Sequence, residues 1–296
     1  MFERILLPLD GSHLAEAAIP YGEELAARLG SEVILLHVCP PEHRPFRDMH
    51  ELYLGTMVKT VERQMEKKFP RCEDWAVRIE NIVGEPADTI CEYAEKNDIK
   101  LIVMAAHGGS GLKYWAVGSV TDKVVRAMDI PMLLIRVKEG RPVEAKKRLI
   151  SRILLSLDGS DTSEIAVPYA GELAKRLKAS IILYRMAEVS YPSSDIDYAP
   201  MAAAPLLAAE EKRVRAYLIG IEKALRQKGI PVTHIVTQGT DAAAEVLEQG
   251  EKTKADLVVM ASRGRSKIAR WVFGSVAQKI LLEGDLPLLL VRKAPD

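Results

Sequence analysis

The chain has 296 residues, about twice the commonest domain length, so two domains of similar size are expected. Hydrophobic residues make up 48% of it, which excludes a disordered chain, and a core with only 5% aromatic residues suits buried parallel strands covered by helices. The 41 basic and 41 acidic residues cancel, which excludes recruitment of nucleic acid or of an anionic membrane by overall charge.

Residues 1–137 contain apolar runs of strand length that alternate with segments of helical periodicity. The pattern predicts strands at 4–9, 32–38, 75–83, 100–105 and 132–137, and helices at 12–29, 51–68, 86–96 and 118–128. Strands joined in this way form right-handed crossovers in a mostly parallel sheet with helices on both faces. Ligands of such sheets bind beyond the carboxyl ends of the strands.

The chain then repeats itself. Residues 5–12, ILLPLDGS, return as ILLSLDGS at 153–160, an offset of 148, whereas GSV at 118–120 returns at 274–276, an offset of 156. The second copy therefore has about eight additional residues (156 minus 148), which we place around 191–207 as a longer loop before the second helix. The predicted fold class is α/β, two tandem copies of one five-stranded sheet, with domains at 1–140 and 149–296. Residues 138–151, which include Lys146-Lys147-Arg148, are interpreted as an exposed linker.

A glycine loop follows the fourth strand of each copy. The first has Ala105-Ala106-His107-Gly108, nine residues, and then Gly118-Ser119; the second has Ala261-Ser262-Arg263-Gly264, nine residues, and then Gly274-Ser275. Glycines allow backbone N–H groups to approach an anion, and the start of the following helix favours negative charge, so the loops predict phosphate binding. Nearby positive charge comes from His107, Lys113, Arg263, Arg265 and Lys267. The alternative is that the glycines serve only as turn residues and the serines as helix caps.

Asp10 and Asp158 follow the first strand of each copy, each in an Asp-Gly-Ser sequence. Two interpretations remain open for them. One is turn and capping chemistry, for which Asp-Gly is a common pair, and the other is contact with a ribose or an adenine.

Motifs of several other site classes are absent from the sequence. It has no G-x-x-x-x-G-K-[S/T] and no G-x-G-x-x-G after the first strand, which excludes P-loop and Rossmann sites. No metal-ligand spacing and no nucleophile elbow occurs, so no metal ligand and no catalytic residue is assigned. Cys39, Cys72 and Cys91 are odd in number and irregularly spaced, which favours reduced thiols. Without a signal segment or an apolar run of ~20 residues, the chain is expected to be soluble and cytoplasmic, and not bound to a membrane or nucleic acid.

On these residues both copies resemble the universal stress protein family, and the whole chain resembles a tandem two-domain member. The ATP-binding signature of that family, G-x2-G-x9-G-[S/T], matches Gly108, Gly118 and Ser119, and again Gly264, Gly274 and Ser275, while Ala105 and Ala261 replace its first glycine. An alanine fits there if its φ is negative. The resemblance implies an adenine nucleotide alpha hydrolase-like fold. It also implies that Asp10 and Asp158 lie near the adenosine and that the base is lined by Val38, Met104, Met186 and Met260.

The same resemblance implies that the phosphates lie along the two loops, from 105 to 121 and from 261 to 276. Four positions that the signature does not fix are also among the expected contacts: His107, Val120, Arg263 and Val276. Ser119 acts there with Thr121, whereas Ser275 acts without a threonine because Ala277 replaces it, so unequal sites are expected. The fifth strands, at 132–137 and 287–291, are expected to pair and so join the halves into a pseudo-dimer. A further dimer of tandem chains is also expected.

Three functions follow from these expectations. The first is a cytoplasmic regulatory protein of the stress response that binds ATP, AMP or ADP, with or without Mg²⁺, and whose nucleotide occupancy changes a surface for a dimer or for an unidentified protein partner. The second is a slow ATP hydrolase, although no side chain in either loop is a persuasive general base. The third is an interaction module that binds no nucleotide.

Overall fold

The computed structural model describes residues 1–72, 74–106, 117–136, 148–188, 199–262 and 274–292, with the side chains of 46–47 and 199–204 excepted. The first half contains these elements: β1 (Arg4–Pro8), α1 (His13–Glu16), α2 (Ile19–Leu29), β2 (Glu32–Cys39), a 3₁₀ helix (Pro41–Phe46), α3 (Arg47–Lys68), β3 (Ala76–Val83), α4 (Pro86–Lys96), β4 (Leu101–Ala105), α5 (Ser119–Ala127) and β5 (Met132–Ile135). The second half contains β6 (Arg152–Ser156), α6 (Asp161–Glu164), α7 (Ala166–Leu177), β7 (Ser180–Ala187), α8 (Ala199–Gln227), β8 (Val232–Gln238), α9 (Ala242–Thr253), β9 (Leu257–Ala261), α10 (Ser275–Glu283) and β10 (Leu288–Val291).

The strands of the described chain form one sheet in the order β3-β2-β1-β4-β5-β10-β9-β6-β7-β8. Neighbouring strands within each half are parallel, and the two halves meet where β5 and β10 pair antiparallel, with Leu133 opposite Leu289. The α/β class, the tandem copies and the pairing of the fifth strands are thus as the sequence analysis expected.

The sheet owes its buried position to strands that are apolar on both faces. In β1 the side chains of Ile5, Leu6 and Leu7 are all buried, and they contribute alternately to the two cores that cover the opposite faces of the sheet. The core on one face of the sheet includes Leu25 of α2, and the core on the other face includes Ile90 of α4. Burial of this apolar surface is the main stabilising contribution to such a fold.

The predicted helix at 12–29 is wrong in one respect, because it is two helices. The break at residues 17–18 is explained by Pro20, which lacks an N–H group and whose ring would clash with the carbonyl four residues earlier. Pro20 therefore lies in the first turn of α2, where a missing N–H costs nothing. The second half repeats the break between α6 and α7, with Pro168 in the first turn of α7.

Two further boundaries differ from prediction. The second helix of the first half begins at Arg47 rather than at 51, directly after the 3₁₀ helix. The loop predicted at 191–207 is wrong from Ala199 onward, where α8 has already begun. This segment is rich in alanine, which has the highest helix propensity, and α8 accommodates Pro205 within its length. Residues 189–198 lie outside the described residues.

The halves are also joined by two arginines that follow the fifth strands. Arg292, after β10, donates from Nη1 to the carbonyl oxygens of Val125, Arg126 and Met128, at 2.9, 3.1 and 2.8 Å, at the end of α5. Arg136, after β5, donates in the same way to carbonyl oxygens at the end of α10, that of Gly284 at 2.9 Å. Each half thus supplies a cation to the negative end of the other half's last helix, a favourable interaction. None of the helices in the described ranges is long and apolar enough to cross a membrane.

Candidate functional site

A cavity of about 410 Å³, here the first cavity, opens at the carboxyl ends of the strands of the first half. The ends of β1, β2 and β4 surround it together with the beginning of α5. Every site residue that the sequence predicted in the described part of this half lines it: Asp10, Val38, Met104, Ala105, Gly118, Ser119, Val120 and Thr121. The chain therefore brings together residues that are more than 100 positions apart.

A second cavity of about 200 Å³ opens at the equivalent edge of the second half. It too is lined by all of the predicted site residues that are described there: Asp158, Met186, Met260, Ala261, Gly274, Ser275 and Val276. The remaining predicted positions, His107, Gly108, Lys113, Arg263, Gly264, Arg265 and Lys267, lie outside the described residues.

The Asp-Gly-Ser turn has the same geometry in both cavities. One carboxylate oxygen of Asp10 accepts from the backbone N–H and the hydroxyl of Ser12, at 2.9 and 2.6 Å, and Asp158 accepts from Ser160 at the same two distances. Ser12 in turn accepts from the N–H of Ala15 and so caps α1. The turn chemistry considered for both aspartates is therefore present, and each aspartate also lines its cavity.

The start of the last helix supplies backbone donors to each cavity. Gly118 donates its own N–H to the Ala106 carbonyl at 2.8 Å, and Gly274 does so to Ser262 at 2.7 Å, which fixes each helix start beside the end of the fourth strand. Neither glycine has a side chain with which to cap its helix, and uncapped N–H groups at the start of a helix are suited to binding an anion.

Thr121 and the two loop alanines show how α5 is held against β4. The Thr121 hydroxyl is buried and donates to the Ala105 carbonyl at 3.1 Å, a bond that Ala277 of the second half cannot make. Ala105 and Ala261 are absent from the residues with positive φ, so an alanine is accommodated without backbone strain at both positions.

Three histidines of the first cavity were not predicted from the sequence. His37, on β2, donates from Nδ1 to the carbonyl of Leu9 at 2.8 Å, since a carbonyl can only accept. Its Nε2 then accepts from Nδ1 of His50, on α3, at 3.1 Å. Burial lowers the pKa of His37, so its neutral form is favoured. His43, on the 3₁₀ helix, completes the set. His37 could have been found as the neighbour of Val38 on the predicted strand, but nothing in the sequence places His43 and His50 there.

Tyr184 and Glu188 of the second cavity were also not predicted. Burial raises the pKa of the Tyr184 phenol to about 12, so the hydroxyl stays protonated. It shares a hydrogen bond of 2.8 Å with the hydroxyl of Thr237 on β8. Within the described ranges no group of three or more His, Cys, Asp or Glu residues is arranged to hold a metal ion.

The family model described as the universal stress protein family matches residues 1–136 and again residues 150–292. A universal stress protein of Methanocaldococcus jannaschii is 31% identical over 159 residues, which cover 47% of this chain and 98% of that protein. One from Mycobacterium tuberculosis is 23% identical over 308 residues and covers 98% of this chain and 97% of its own length.

Among solved structures, a universal stress protein from Archaeoglobus fulgidus covers 99% of this chain and 97% of its own chain, with a TM-score of 0.69 and 19% sequence identity. This similarity covers both halves of the chain, and it concerns the fold alone. Because the family model matches nearly the whole chain, in two successive segments that correspond to the two halves of the sheet, this chain is a tandem member of the universal stress protein family.

Proposed function

We propose that this chain is a cytoplasmic regulatory protein of the stress response that binds an adenine nucleotide at the carboxyl edge of its sheet. In this proposal the chain comprises two family units, residues 1–140 and 149–296, and nucleotide occupancy changes a surface for a dimer or for a protein partner. The observation that carries the proposal is the convergence of the Asp10 turn and the start of α5 on one cavity of about 410 Å³. This volume lies within the range of roughly 300–1,000 Å³ that is usual for small-molecule sites.

The lining of the first cavity matches the parts of a nucleotide. Val38, Ile90 and Met104 form an apolar wall suited to a purine ring, and Asp10 offers a carboxylate suited to the hydroxyl groups of a ribose. Ser119 opens α5, where N–H groups and the helix dipole favour phosphate oxygens. An apolar end, a hydrogen-bond acceptor and an anion-binding end therefore line one cavity.

The experiment is calorimetric titration of the full chain with ATP, ADP and AMP, each with and without Mg²⁺. One family member of known structure was solved in complex with cAMP, so cAMP is titrated as well. We expect saturable binding of at least one of these nucleotides, and retention of nucleotide through purification that mass spectrometry can identify.

The variant Gly118→Val places a branched side chain on a residue that lines the first cavity, and we expect it to weaken binding there at least tenfold. Gly55→Val on α3 is the matched control, because nothing lies within 4 Å of a Cβ built at Gly55. Circular dichroism and thermal melting establish that both variants fold. Absence of heat with every nucleotide at millimolar concentration would reject the proposal.

A further inference from the structure

The two cavities differ most near the ends of β2 and β7. These strands are equivalent, because Pro8 pairs with Leu36 in one half and Ser156 pairs with Tyr184 in the other. Three successive residues are each replaced by a larger one in the second half: Leu36 by Tyr184, His37 by Arg185 and Val38 by Met186. The second cavity, at about 200 Å³, has half the volume of the first, at about 410 Å³. It falls below the usual volume of a small-molecule site, roughly 300 Å³ or more.

Tyr184 is held in place and cannot easily turn away to make room. Its side chain is only 1% exposed, and its hydroxyl is bonded to Thr237 at 2.8 Å. In the first half, Ile82 occupies the position in the sheet that corresponds to Thr237. Neither Ile82 nor Leu36 has a hydroxyl group, so the first half cannot form this hydrogen bond. Moving Tyr184 would therefore break a buried hydrogen bond as well as its packing.

Arg185 packs against Gly159 of the Asp158 turn and is not among the described residues that line the cavity. It is 3% exposed, and its guanidinium carbon lies 5.0 Å from the centre of the Tyr217 ring on α8. A Cβ built at Gly159 would be 1.9 Å from its Nη1, whereas a Cβ built at Gly11 would meet nothing within 4 Å. Among the described residues, the Arg185 guanidinium is therefore packed against Gly159, whereas His37, its counterpart in the first half, bonds to the Leu9 carbonyl and leaves the space beside Gly11 open.

The charges that line the two cavities also differ. Among the described residues, the first has one carboxylate, Asp10, and the imidazoles of His37, His43 and His50. The lining of the second, as far as its residues are described, has two carboxylates, those of Asp158 and Glu188, and no basic side chain. Glu188 takes the place of Pro40. The described linings of the two cavities therefore differ in their polar side chains as well as in their volume.

We propose that each chain holds one adenine nucleotide, in the first cavity, and that Tyr184 and Met186 close the second cavity to a nucleoside. The inference rests on the proposed function and gives its stoichiometry and position. The second half is then a partner of the nucleotide-binding half, and it does not duplicate its activity.

The test is the stoichiometry of AMP and ATP binding to the full chain by calorimetry, together with photolabelling by 8-azido-ATP and peptide mapping. We expect one nucleotide per chain, label only on peptides of the first half, and binding at least tenfold weaker in Gly118→Val. The variant Tyr184→Leu with Met186→Val restores the first-half side chains and is expected to raise the stoichiometry from one to two.

Each other outcome has a distinct meaning. Two nucleotides bound to the unaltered chain, as would follow if the basic residues of the second glycine loop dominate, would overturn the inference and leave the proposed function intact. Label on second-half peptides, or binding of undiminished affinity in a folded Gly118→Val variant, would do the same. A folded Tyr184→Leu, Met186→Val variant that still binds one nucleotide would show that these side chains do not close the second cavity. No binding of any nucleotide would overturn both proposals.

Discussion

The two cavities have the same backbone arrangement and differ in the side chains that line them. Both have the aspartate turn with identical hydrogen-bond distances, and both have a glycine that precedes the last helix. The first cavity is nevertheless about twice as large and is lined with histidines, while Tyr184 narrows the second. Main-chain hydrogen bonding therefore gives the two edges the same form, and a few side chains at the strand ends give their cavities different volumes.

The difference in packing beneath the turns predicts the largest effect. Gly11 and Gly159 both have positive φ, +82° and +80°, so alanine at either position costs about 1–2 kcal/mol of stability from the backbone alone. Gly159→Ala must also displace the buried Arg185, and we expect a total loss of about 3 kcal/mol. Urea denaturation of both variants measures the two losses, and equal losses would show that Arg185 does not support the turn.

A smaller effect is expected where α5 is bonded to β4. Thr121→Ala removes the buried hydrogen bond to the Ala105 carbonyl and makes the first half like the second, where Ala277 occupies this position. We expect a loss of about 1 kcal/mol in the free energy of unfolding. Thr121→Ser keeps the hydroxyl and serves as the control. If both variants lose the same amount, the missing methyl group and not the hydrogen bond is responsible.

The smallest effect concerns the pH dependence of stability. We expect His37 to contribute to it in the first half, whereas the second half has Arg185 at the equivalent position. Burial lowers the pKa of His37 in the folded chain, so the unfolded chain binds a proton more readily. Stability should therefore fall as the pH decreases below about 6.5, the unfolded value, with a slope of at most about 1.4 kcal/mol per pH unit, and level off below the folded pKa.

His37→Asn retains a side-chain donor for the Leu9 carbonyl but does not titrate, so the melting temperature of this variant should vary less between pH 7 and pH 5. The groups that face His37 act in both directions, since the bond to Leu9 and the charge of Asp10 raise its pKa and His50 lowers it. An unchanged pH profile in the variant would assign the acid sensitivity to other groups.

The sequence predicted most of the framework because strands and capped helices are local features. The prediction for α4 at 86–96 is correct at both ends, since Pro86 marks a first turn. The break between α1 and α2 could have been predicted from Pro20. It was missed because the apolar periodicity of residues 12–29 continues across the break and indicates a single helix. The helical start of α8 could not be inferred from the sequence, because its alanines favour a helix and its prolines disfavour one.

The site was predicted where motifs lie and missed where only the fold brings residues together. The glycine loops and the aspartate turns have recognisable spacing, and the site residues that were predicted from them and are described all line the cavities. His50 belongs to a helix that no motif marks, and it reaches the first cavity only because α3 packs beside the end of β2. The role of all these residues in nucleotide binding stays a prediction.

The antiparallel pairing of β5 with β10 has a consequence for assembly. Each of these strands has a neighbour on both sides, so neither presents an open edge to a second molecule. In the part of the chain that the structure describes, the edge strands at which another chain could extend the sheet are β3 and β8, and β3 carries the charged side chains of Arg78 and Glu80, which discourage such addition. Because a covalent link joins the two halves, their contact also survives dilution, unlike that between separate subunits. A larger assembly in which β3 and β8 stay unpaired must therefore use helices or loops, and its concentration dependence would report on those surfaces and not on the contact between the halves.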